Sequence, residues 1–285
     1  MDLSIIIVSW NIREQLRACL SSIAETMQGS TLRYSVSVVD NASTDGSATM
    51  VREEFPDIRL IANEENRGFA AANNQSLQRD AEKSEFVLLL NPDMRVLPGT
   101  LDGIVQFMRR SGNERVGVAG CKLIDDHGAI VPHVRHFPTL LDQFAVLTKM
   151  ARVMPRLLDR YLMRDFDTNR EADVDSIRGA FFCIRSSVVR QLGMLDEDYF
   201  VWFEEVDFCR RVVDAGWRVV YTPSVKCIDY VGQSFRQVRL FRKQRYFTKS
   251  MCTYFRKHRP WWEYVILVSV RPFVLAVAWV LDRFR

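Results

Sequence analysis

The feature that most constrains the fold of this chain is an alternation of short apolar runs with segments of helical periodicity. Residues 3–8 form a run rich in β-branched side chains, and Leu16, Leu20 and Ile23 then recur at helical spacing. The same pattern predicts strands over 34–39, 58–61, 86–90 and 116–119, and helices over 46–55, 69–79 and 98–109. Because continuously apolar strands that alternate with helices are typical of parallel sheets, we expect an α/β fold: a mostly parallel, Rossmann-like sheet with helices on both faces.

The pattern becomes less regular after residue 136. Residues 137–170 are irregularly helical with several prolines, and we interpret them as a variable helical insertion. A strand is predicted over 174–184, a helix over 204–215 that ends at Gly216, and a strand over 217–221.

The C-terminal part is strongly basic. No acidic residue lies between Tyr230 and Trp262, and the basic residues there are Arg236, Arg239, Arg242, Lys243, Arg245, Lys249, Arg256, Lys257 and Arg259. We therefore expect a basic amphipathic helix after Gly232.

Residues 261–285 are apolar, but three residues interrupt the stretch: Glu263, Arg271 and Pro272. This is too interrupted to predict a transmembrane span. The predicted organisation is one main domain over 1–232 followed by basic and amphipathic helices over 233–285, which we expect to associate with a membrane.

Composition limits the class of protein. With 48% hydrophobic and 26% charged residues, the chain is neither disordered nor a polytopic membrane protein. Its net charge of +4 is too small to indicate binding to nucleic acid.

The six cysteines form no C-x-x-C pair, which predicts no zinc site and no disulfide framework, as in a reducing cytosol. The first residues lack the basic segment of a signal peptide, so we expect the body on the cytoplasmic side.

Polar residues follow the predicted strands, where open α/β sheets bind ligands. They are Ser9 and Asn11, the run 40–46, the run 66–68, and the run 91–93. No G-x-G-x-x-G or P-loop is present, which argues against a dehydrogenase or a P-loop kinase. The Asp40 carboxylate can accept hydrogen bonds from a ribose hydroxyl or a pyrimidine N–H, and Asp93 can hold a divalent cation through oxygen. Both runs are also ordinary turn and cap sequences.

Three acids, Glu204, Glu205 and Asp207, crowd the start of a predicted helix. The helix dipole favours acids there in any protein. Neighbouring acids behind an aromatic segment also raise one another's pKa, as a general base requires.

In this order the motifs resemble glycosyltransferase family 2, in the branch of bacterial rhamnosyltransferase-like enzymes. The resemblance covers residues 3–258 and rests on V-S-W-N at 8–11, V-D-N-A-S-T-D-G at 39–46, N-R-G-F at 66–69 with Asn73, L-L-N-P-D at 89–93, G-A at 179–180 and F-E-E-V-D-F-C at 203–209.

The family implies a GT-A fold and an inverting transfer from a nucleotide-diphospho-sugar with Mg²⁺ or Mn²⁺. By the resemblance, Asp40 contacts the nucleoside, Asp93 binds the metal and Glu205 takes the base position, with Glu204 and Asp207 beside it. The donor-binding positions carried over are Val8, Ser9, Asn11, Asp40, Asn41, Asn66, Arg67, Gly68, Asn73, Asn91 and Gly179.

Two positions depart from the family pattern. The base position is usually Asp, so Glu205 reaches one methylene further. Many relatives carry His before G-x-S, whereas this chain has D-Y-V-G-Q-S at 229–234, which puts a diphosphate contact from Asp229 in question.

The function predicted from the resemblance is transfer of a sugar, L-rhamnose by branch, to a polyprenyl diphosphate-linked saccharide in cell-surface polysaccharide synthesis. We expect a peripheral protein on the anionic cytoplasmic face of the inner membrane. Two alternatives stay open: a catalytically silent nucleotide-sugar-binding or scaffold protein, and a C-terminal helix that only packs on the body. The sequence does not specify an oligomeric state.

Overall fold

A computed structural model describes residues 1–230 and 237–284 of the chain. The predicted domain boundary after residue 232, the run 231–234 of the departing motif, Arg236 and Arg285 lie outside the described residues.

The described strands extend and divide the predicted ones. They are β1 (Leu3–Ser9), β2 (Tyr34–Asp40), β3 (Arg59–Ala62), β4 (Phe86–Leu90), β5 (Met94–Val96), β6 (Val116–Ile124), β7 (Val134–Arg135), β8 (Ala172–Asp173), β9 (Ser176–Ile177), β10 (Phe181–Arg185) and β11 (Arg218–Asp229). The main sheet has the order β3-β2-β1-β4-β10-β6-β11-β5, and β8 pairs with β11 at one side. β7 and β9 form a separate two-stranded sheet.

The main sheet is parallel through β3, β2, β1 and β4, and β11 is parallel to β6. β10 runs antiparallel to both β4 and β6, and β5 and β8 run antiparallel to β11. The sheet is therefore mixed beyond β4, which refines the predicted mostly parallel arrangement within the predicted α/β class.

Helices cover both faces of the sheet, as predicted. They are α1 (Arg13–Met27), α2 (Ser47–Glu54), α3 (Phe69–Lys83), α4 (Thr100–Arg109), α5 (Leu140–Leu147), α6 (Ser186–Leu192), α7 (Glu204–Asp214), α8 (Leu240–His258) and α9 (Trp261–Arg283). One buried cluster joins α1, α2 and α4 to side chains such as Ile5 and Ile7 of β1. A second joins α3, α6 and α7 to the other face, including Ile6, because successive strand residues point to opposite faces.

Several predicted elements differ from the structure. The single strand predicted over 174–184 is divided, because β9 pairs with β7 and leaves residues 178–180 as a loop before β10. The strand predicted over 217–221 continues to Asp229, because β11 pairs along β6 and then with β5. The insertion contains one α-helix, α5, and two short 3₁₀ helices, Met150–Arg152 and Pro155–Leu158.

The helices α8 and α9 pack against each other and against the body. A third buried cluster joins Met251, Tyr254 and Phe255 of α8 to Tyr199 and Phe203 of the aromatic segment before α7. It also includes Leu267 of α9 and Leu147 of α5. The C-terminal helices are therefore packed on the body through a common apolar core.

The three residues that interrupt the apolar stretch over 261–285 do not end the helix, because α9 is continuous through Pro272. Its charges have partners: Arg259 donates two hydrogen bonds to Glu263, at 2.7 and 2.8 Å, and the Nε of Arg271 donates to Thr248 Oγ1 at 3.2 Å. Proline removes one helical hydrogen bond, and packing on α8 holds the remainder of α9. By length and composition α9 could cross a membrane. Of its most apolar 18-residue stretch, 11% is buried inside the protein.

Gly68 allows two loops at the edge of the sheet to approach closely. Its φ is +83° and its ψ is −177°, a conformation that only glycine adopts readily. A Cβ atom there would lie 2.3 Å from the carbonyl oxygen of Phe200, which accepts a 2.7 Å hydrogen bond from the Phe69 N–H. The loop before α3 and the loop before α7 are thereby held together.

We predict that Gly68→Ala lowers the free energy of unfolding by more than about 2 kcal/mol, because backbone strain and a clash with Phe200 add. Gly99→Ala is the control, since Gly99 also has positive φ, +79°, but nothing lies within 4 Å of its Cβ position. Denaturant titration of both variants measures the difference. Equal losses in the two variants would contradict a steric role for Gly68.

Candidate active site

A cleft of about 490 Å³ lies beyond the carboxyl ends of β1, β2 and β4. Its wall includes nine of the predicted site residues: Val8, Asn41, Asn66, Gly68, Asn91, Asp93, Gly179, Glu204 and Glu205. Residues from α8 and from the end of β11 complete the wall. The cleft is therefore where the sequence motifs converge.

Asp40 lies at the end of β2 and is 2% exposed. Its Oδ2 accepts a hydrogen bond from the Ser43 N–H at 2.9 Å, and its Oδ1 is buried without a partner among the described residues. A buried carboxylate oxygen without a donor is unfavourable unless a ligand or water supplies one. Asn11 ties the neighbouring loop in place, since its Oδ1 accepts from the Thr44 N–H at 2.7 Å.

Asn41 and Asn66 organise the loop before α3. The Asn41 amide donates to Asn66 Oδ1 at 3.1 Å and to the Gly68 carbonyl at 3.0 Å. Its own Oδ1 accepts from the Arg67 N–H at 3.0 Å and from the Asn63 amide at 3.2 Å. These contacts occupy both ends of the Asn41 amide and shape the cleft wall.

Some predicted donor-binding residues lie outside the cleft wall: Ser9, Asn11, Asp40, Arg67 and Asn73. Ser9 is buried, and Asn73 donates to the Phe69 carbonyl within α3 at 2.9 Å. Arg67 is exposed in a neighbouring depression with Glu64 and Glu65. The roles of these residues stay predictions.

Asp93 and Asp229 both line the cleft, and the pairing of β5 with β11 brings their backbones close together. β11 pairs with β5 so that Asp229 is opposite Met94, and the Tyr230 N–H donates to the Asp93 carbonyl at 3.2 Å. Both carboxylates are buried, with 4% and 2% exposure. Asp229, noted in the sequence only as a departure, is therefore a neighbour of the predicted metal ligand.

Arg178 is a cleft residue that the sequence reasoning missed. Its guanidinium forms an ion pair with Asp229. Burial and the nearby Arg135 lower the pKa of Arg178, whereas the charges of Asp93 and Glu205 act in the opposite direction. Arg178 falls within the strand predicted over 174–184 and was therefore not considered as a site residue. Its position directly before Gly179 of the family motif was the sequence feature that could have identified it.

Glu204 and Glu205 begin α7 and face the cleft. The Oε2 atom of each is buried without a partner among the described residues. Burial raises the pKa of both carboxyls, and the charge of Glu205 raises that of Glu204 further. Trp202 and Phe203, directly before the helix, have φ values of +64° and +71°, a strained conformation that concentrates at functional sites.

Asp207 lies away from the cleft and joins α7 to α8. Its Oδ1 accepts from His258 Nε2 at 2.7 Å and from the Tyr199 hydroxyl at 3.3 Å, and its Oδ2 accepts from Arg211 Nε at 2.9 Å. Burial would raise the pKa of Asp207, but the hydrogen bond from His258 and the charge of Arg211 lower it. These contacts support a structural role for Asp207.

The helix α8 adds residues to the cleft that the sequence reasoning did not assign there: Val238 just before it, and Arg242 and Tyr246 on it. The Tyr246 ring stacks on Phe200, with ring centroids 4.5 Å apart and an interplanar angle of 22°. The basic residues of this segment predicted an amphipathic helix, but they did not predict that the helix lies over the cleft.

The carboxylates of Asp93 and Asp229 fit a divalent cation that shares its coordination with a diphosphate. In the described part of the chain, no group of three or more His, Cys, Asp or Glu side chains is placed to hold a metal. Two carboxylates at adjacent strand ends leave the remaining positions to phosphate oxygens and water, the ligands Mg²⁺ prefers. A cation bound there would compete with Arg178 for Asp229.

Comparisons with known proteins identify the family of the chain. The family model "Glycosyltransferase like family 2" matches residues 2–261. The chain is 27% identical over 239 residues to the N-acetylglucosaminyl-diphospho-decaprenol L-rhamnosyltransferase of Mycobacterium tuberculosis, covering 80% of this chain and 76% of that protein. It is 26% identical to the rhamnosyltransferase WbbL of Escherichia coli, covering 67% of this chain and 71% of that protein.

The fold is similar to that of the mannosyltransferase PcManGT from Pyrobaculum calidifontis, solved with GDP-Man and Mn²⁺. The TM-score is 0.59 at 20% identity, over 98% of this chain and 73% of that one. This likeness shows the GT-A fold. The chain thus belongs to glycosyltransferase family 2 and resembles its bacterial rhamnosyltransferases.

Proposed function

We propose that this protein transfers a sugar, L-rhamnose, from a nucleotide-diphospho-sugar to a hydroxyl of a polyprenyl diphosphate-linked saccharide, with inversion of configuration. The observation that carries the proposal is the convergence of Asp93 and Glu205 in one cleft of a family 2 glycosyltransferase. The names of the mycobacterial and E. coli relatives support the sugar, and that of the former supports a lipid diphosphate acceptor.

In the proposed reaction Glu205 accepts the proton of the acceptor hydroxyl. Its raised pKa makes the carboxylate a stronger base, and its buried oxygen without a partner among the described residues can accept the proton. The acceptor oxygen attacks the anomeric carbon as the bond to the diphosphate breaks, so a single displacement inverts configuration. Asp93 and Asp229 would hold Mg²⁺ or Mn²⁺, which when bound neutralises charge on the leaving nucleoside diphosphate.

We predict that Asp93→Asn weakens the metal-dependent binding of nucleoside diphosphates at least about tenfold, because the amide no longer offers a charged oxygen to the cation. Calorimetric titration of UDP, GDP and dTDP with and without Mn²⁺ measures this. Asp126→Asn, an exposed carboxylate, is the control. Unchanged affinity of Asp93→Asn at saturating Mn²⁺ would remove Asp93 from the site.

We predict that Glu205→Gln lowers turnover at least about 100-fold and preserves nucleoside diphosphate binding, because glutamine keeps the size of the side chain but cannot accept a proton. Glu204→Gln is the matched control on the same helix turn. The measurement is release of nucleoside diphosphate from a panel of nucleotide sugars with lipid-linked acceptors. If Glu204→Gln is inactive and Glu205→Gln active, the base is Glu204.

The same assay separates the enzyme from the scaffold alternative. A wild-type protein that binds nucleoside diphosphates yet releases none across the donor and acceptor panel would support a silent binding protein.

We also propose peripheral attachment to the cytoplasmic face of the inner membrane, with the C-terminal helices as a membrane-associating unit. The exposed apolar side chains of α9 support it, among them Trp261 at 77% and Phe273 at 78% exposure. Tryptophan suits the headgroup level, and each nearby Lys or Arg contributes about 1 kcal/mol at an anionic surface.

We predict that Phe273→Glu together with Val277→Glu weakens binding to anionic vesicles at least about tenfold, because both side chains are exposed on α9 and charge opposes their insertion. The change spares the buried Leu267 and Ala278. Val153→Glu, at an exposed apolar residue of the insertion, is the control. Co-sedimentation should weaken with added salt. Failure of the wild-type protein to co-sediment at low salt would contradict membrane attachment.

A further inference from the structure

The basic residues of the C-terminal helices divide into two sets. Those at the end of α8 form ion pairs with carboxylates: Arg256 with Asp198, Lys257 with Asp196 and Asp198, and Arg259 with Glu263. Those at its start form no ion pair with any described carboxylate: Arg239, Arg242, Lys243 and Arg245. Lys249, in the middle of α8, lies near the charge of Asp198. The basic side chains without an ion-pair partner are therefore concentrated at the start of α8.

Arg242 is the member of this set that lines the cleft. Its stretch of helix is held from two sides. The Asp282 carboxylate of α9 accepts from the N–H groups of Leu240 and Phe241 at 3.1 and 2.8 Å, and Tyr246 stacks on Phe200. The position of the Arg242 backbone over the cleft is thus set before any ligand binds.

The charges of the cleft wall explain what Arg242 can bind. The wall carries four acids, Asp93, Glu204, Glu205 and Asp229, and Arg178 is already paired with Asp229. A divalent cation on Asp93 and Asp229 would offset part of the charge of a diphosphate in this cleft, and a basic side chain that no carboxylate occupies can offset more of it. Arginine also matches phosphate oxygens with two parallel N–H donors.

We infer that Arg242 binds a diphosphate group in the cleft, a role that rests on the proposed function. Two diphosphate esters enter that reaction, the nucleoside diphosphate of the donor and the polyprenyl diphosphate of the acceptor. The binding chemistry of Arg242 is the same for both.

The test titrates full-length protein with UDP, GDP and dTDP in the presence of Mg²⁺ and, separately, with farnesyl diphosphate. Arg242→Ala should weaken at least one class about 10- to 100-fold, as expected for loss of charge-assisted hydrogen bonds. Arg242→Lys should restore part of the affinity by keeping the charge. Arg245→Ala is the control, because Arg245 is an exposed basic residue of the same helix outside the cleft wall. Thermal unfolding checks that each variant is folded.

Weakening confined to the nucleoside diphosphates supports a donor contact, and weakening confined to farnesyl diphosphate supports an acceptor contact. Weakening of both supports a shared diphosphate position. Unchanged affinity for both classes, or an equal loss in Arg245→Ala, overturns the inference while the proposed function stands. Absence of binding by the wild-type protein to every probe contradicts the proposed function itself.

Discussion

The antiparallel pairing of β10 between β4 and β6 is the constraint on which the cleft depends. Phe182 and Cys183 of β10 lie opposite Leu89 and Leu88 of β4, and Cys183 also pairs with β6. The loop before β10 therefore ends beside β4, where the Asn91 N–H donates to the Ala180 carbonyl at 2.9 Å. This pairing brings residues 178–180 to the strand end that carries Asp93. β10 is also the strand that joins the parallel strands β3, β2, β1 and β4 to the parallel pair β6 and β11.

Buried charge is the second determinant of the site. Two carboxylates, Asp93 and Asp229, are buried at adjacent strand ends, a costly arrangement unless cations compensate. Arg178 supplies one compensating charge. Burial raises the pKa of the Glu204 and Glu205 carboxyls, which makes each carboxylate a stronger base. Burial of these four carboxyls therefore has two effects: it makes a compensating cation favourable at Asp93 and Asp229, and it makes Glu204 and Glu205 stronger bases.

The C-terminal helices connect the cleft to the apolar surface of the protein. α8 contributes Arg242 and Tyr246 to the cleft, and α9 holds the first turn of α8 through Asp282. Composition predicted a basic helix and an apolar segment but also an interruption at Pro272. The helix α9 is nevertheless continuous through Pro272, and its Arg271 contacts Thr248 of α8 across the hairpin, a long-range contact that no local sequence window reveals.

The sequence by itself determined the α/β class and the placement of Asp93 and Glu205 after apolar segments, because hydrophobic periodicity and turn residues act over a few neighbouring positions. Only the tertiary structure decided that Arg178, Asp229 and Arg242 join them in one cleft. These three come from a loop, a strand end and a helix that are separated along the chain, and long-range strand pairing and helix packing bring them together. Side-chain type indicates what chemistry a residue can do, whereas packing between distant segments decides where it does it.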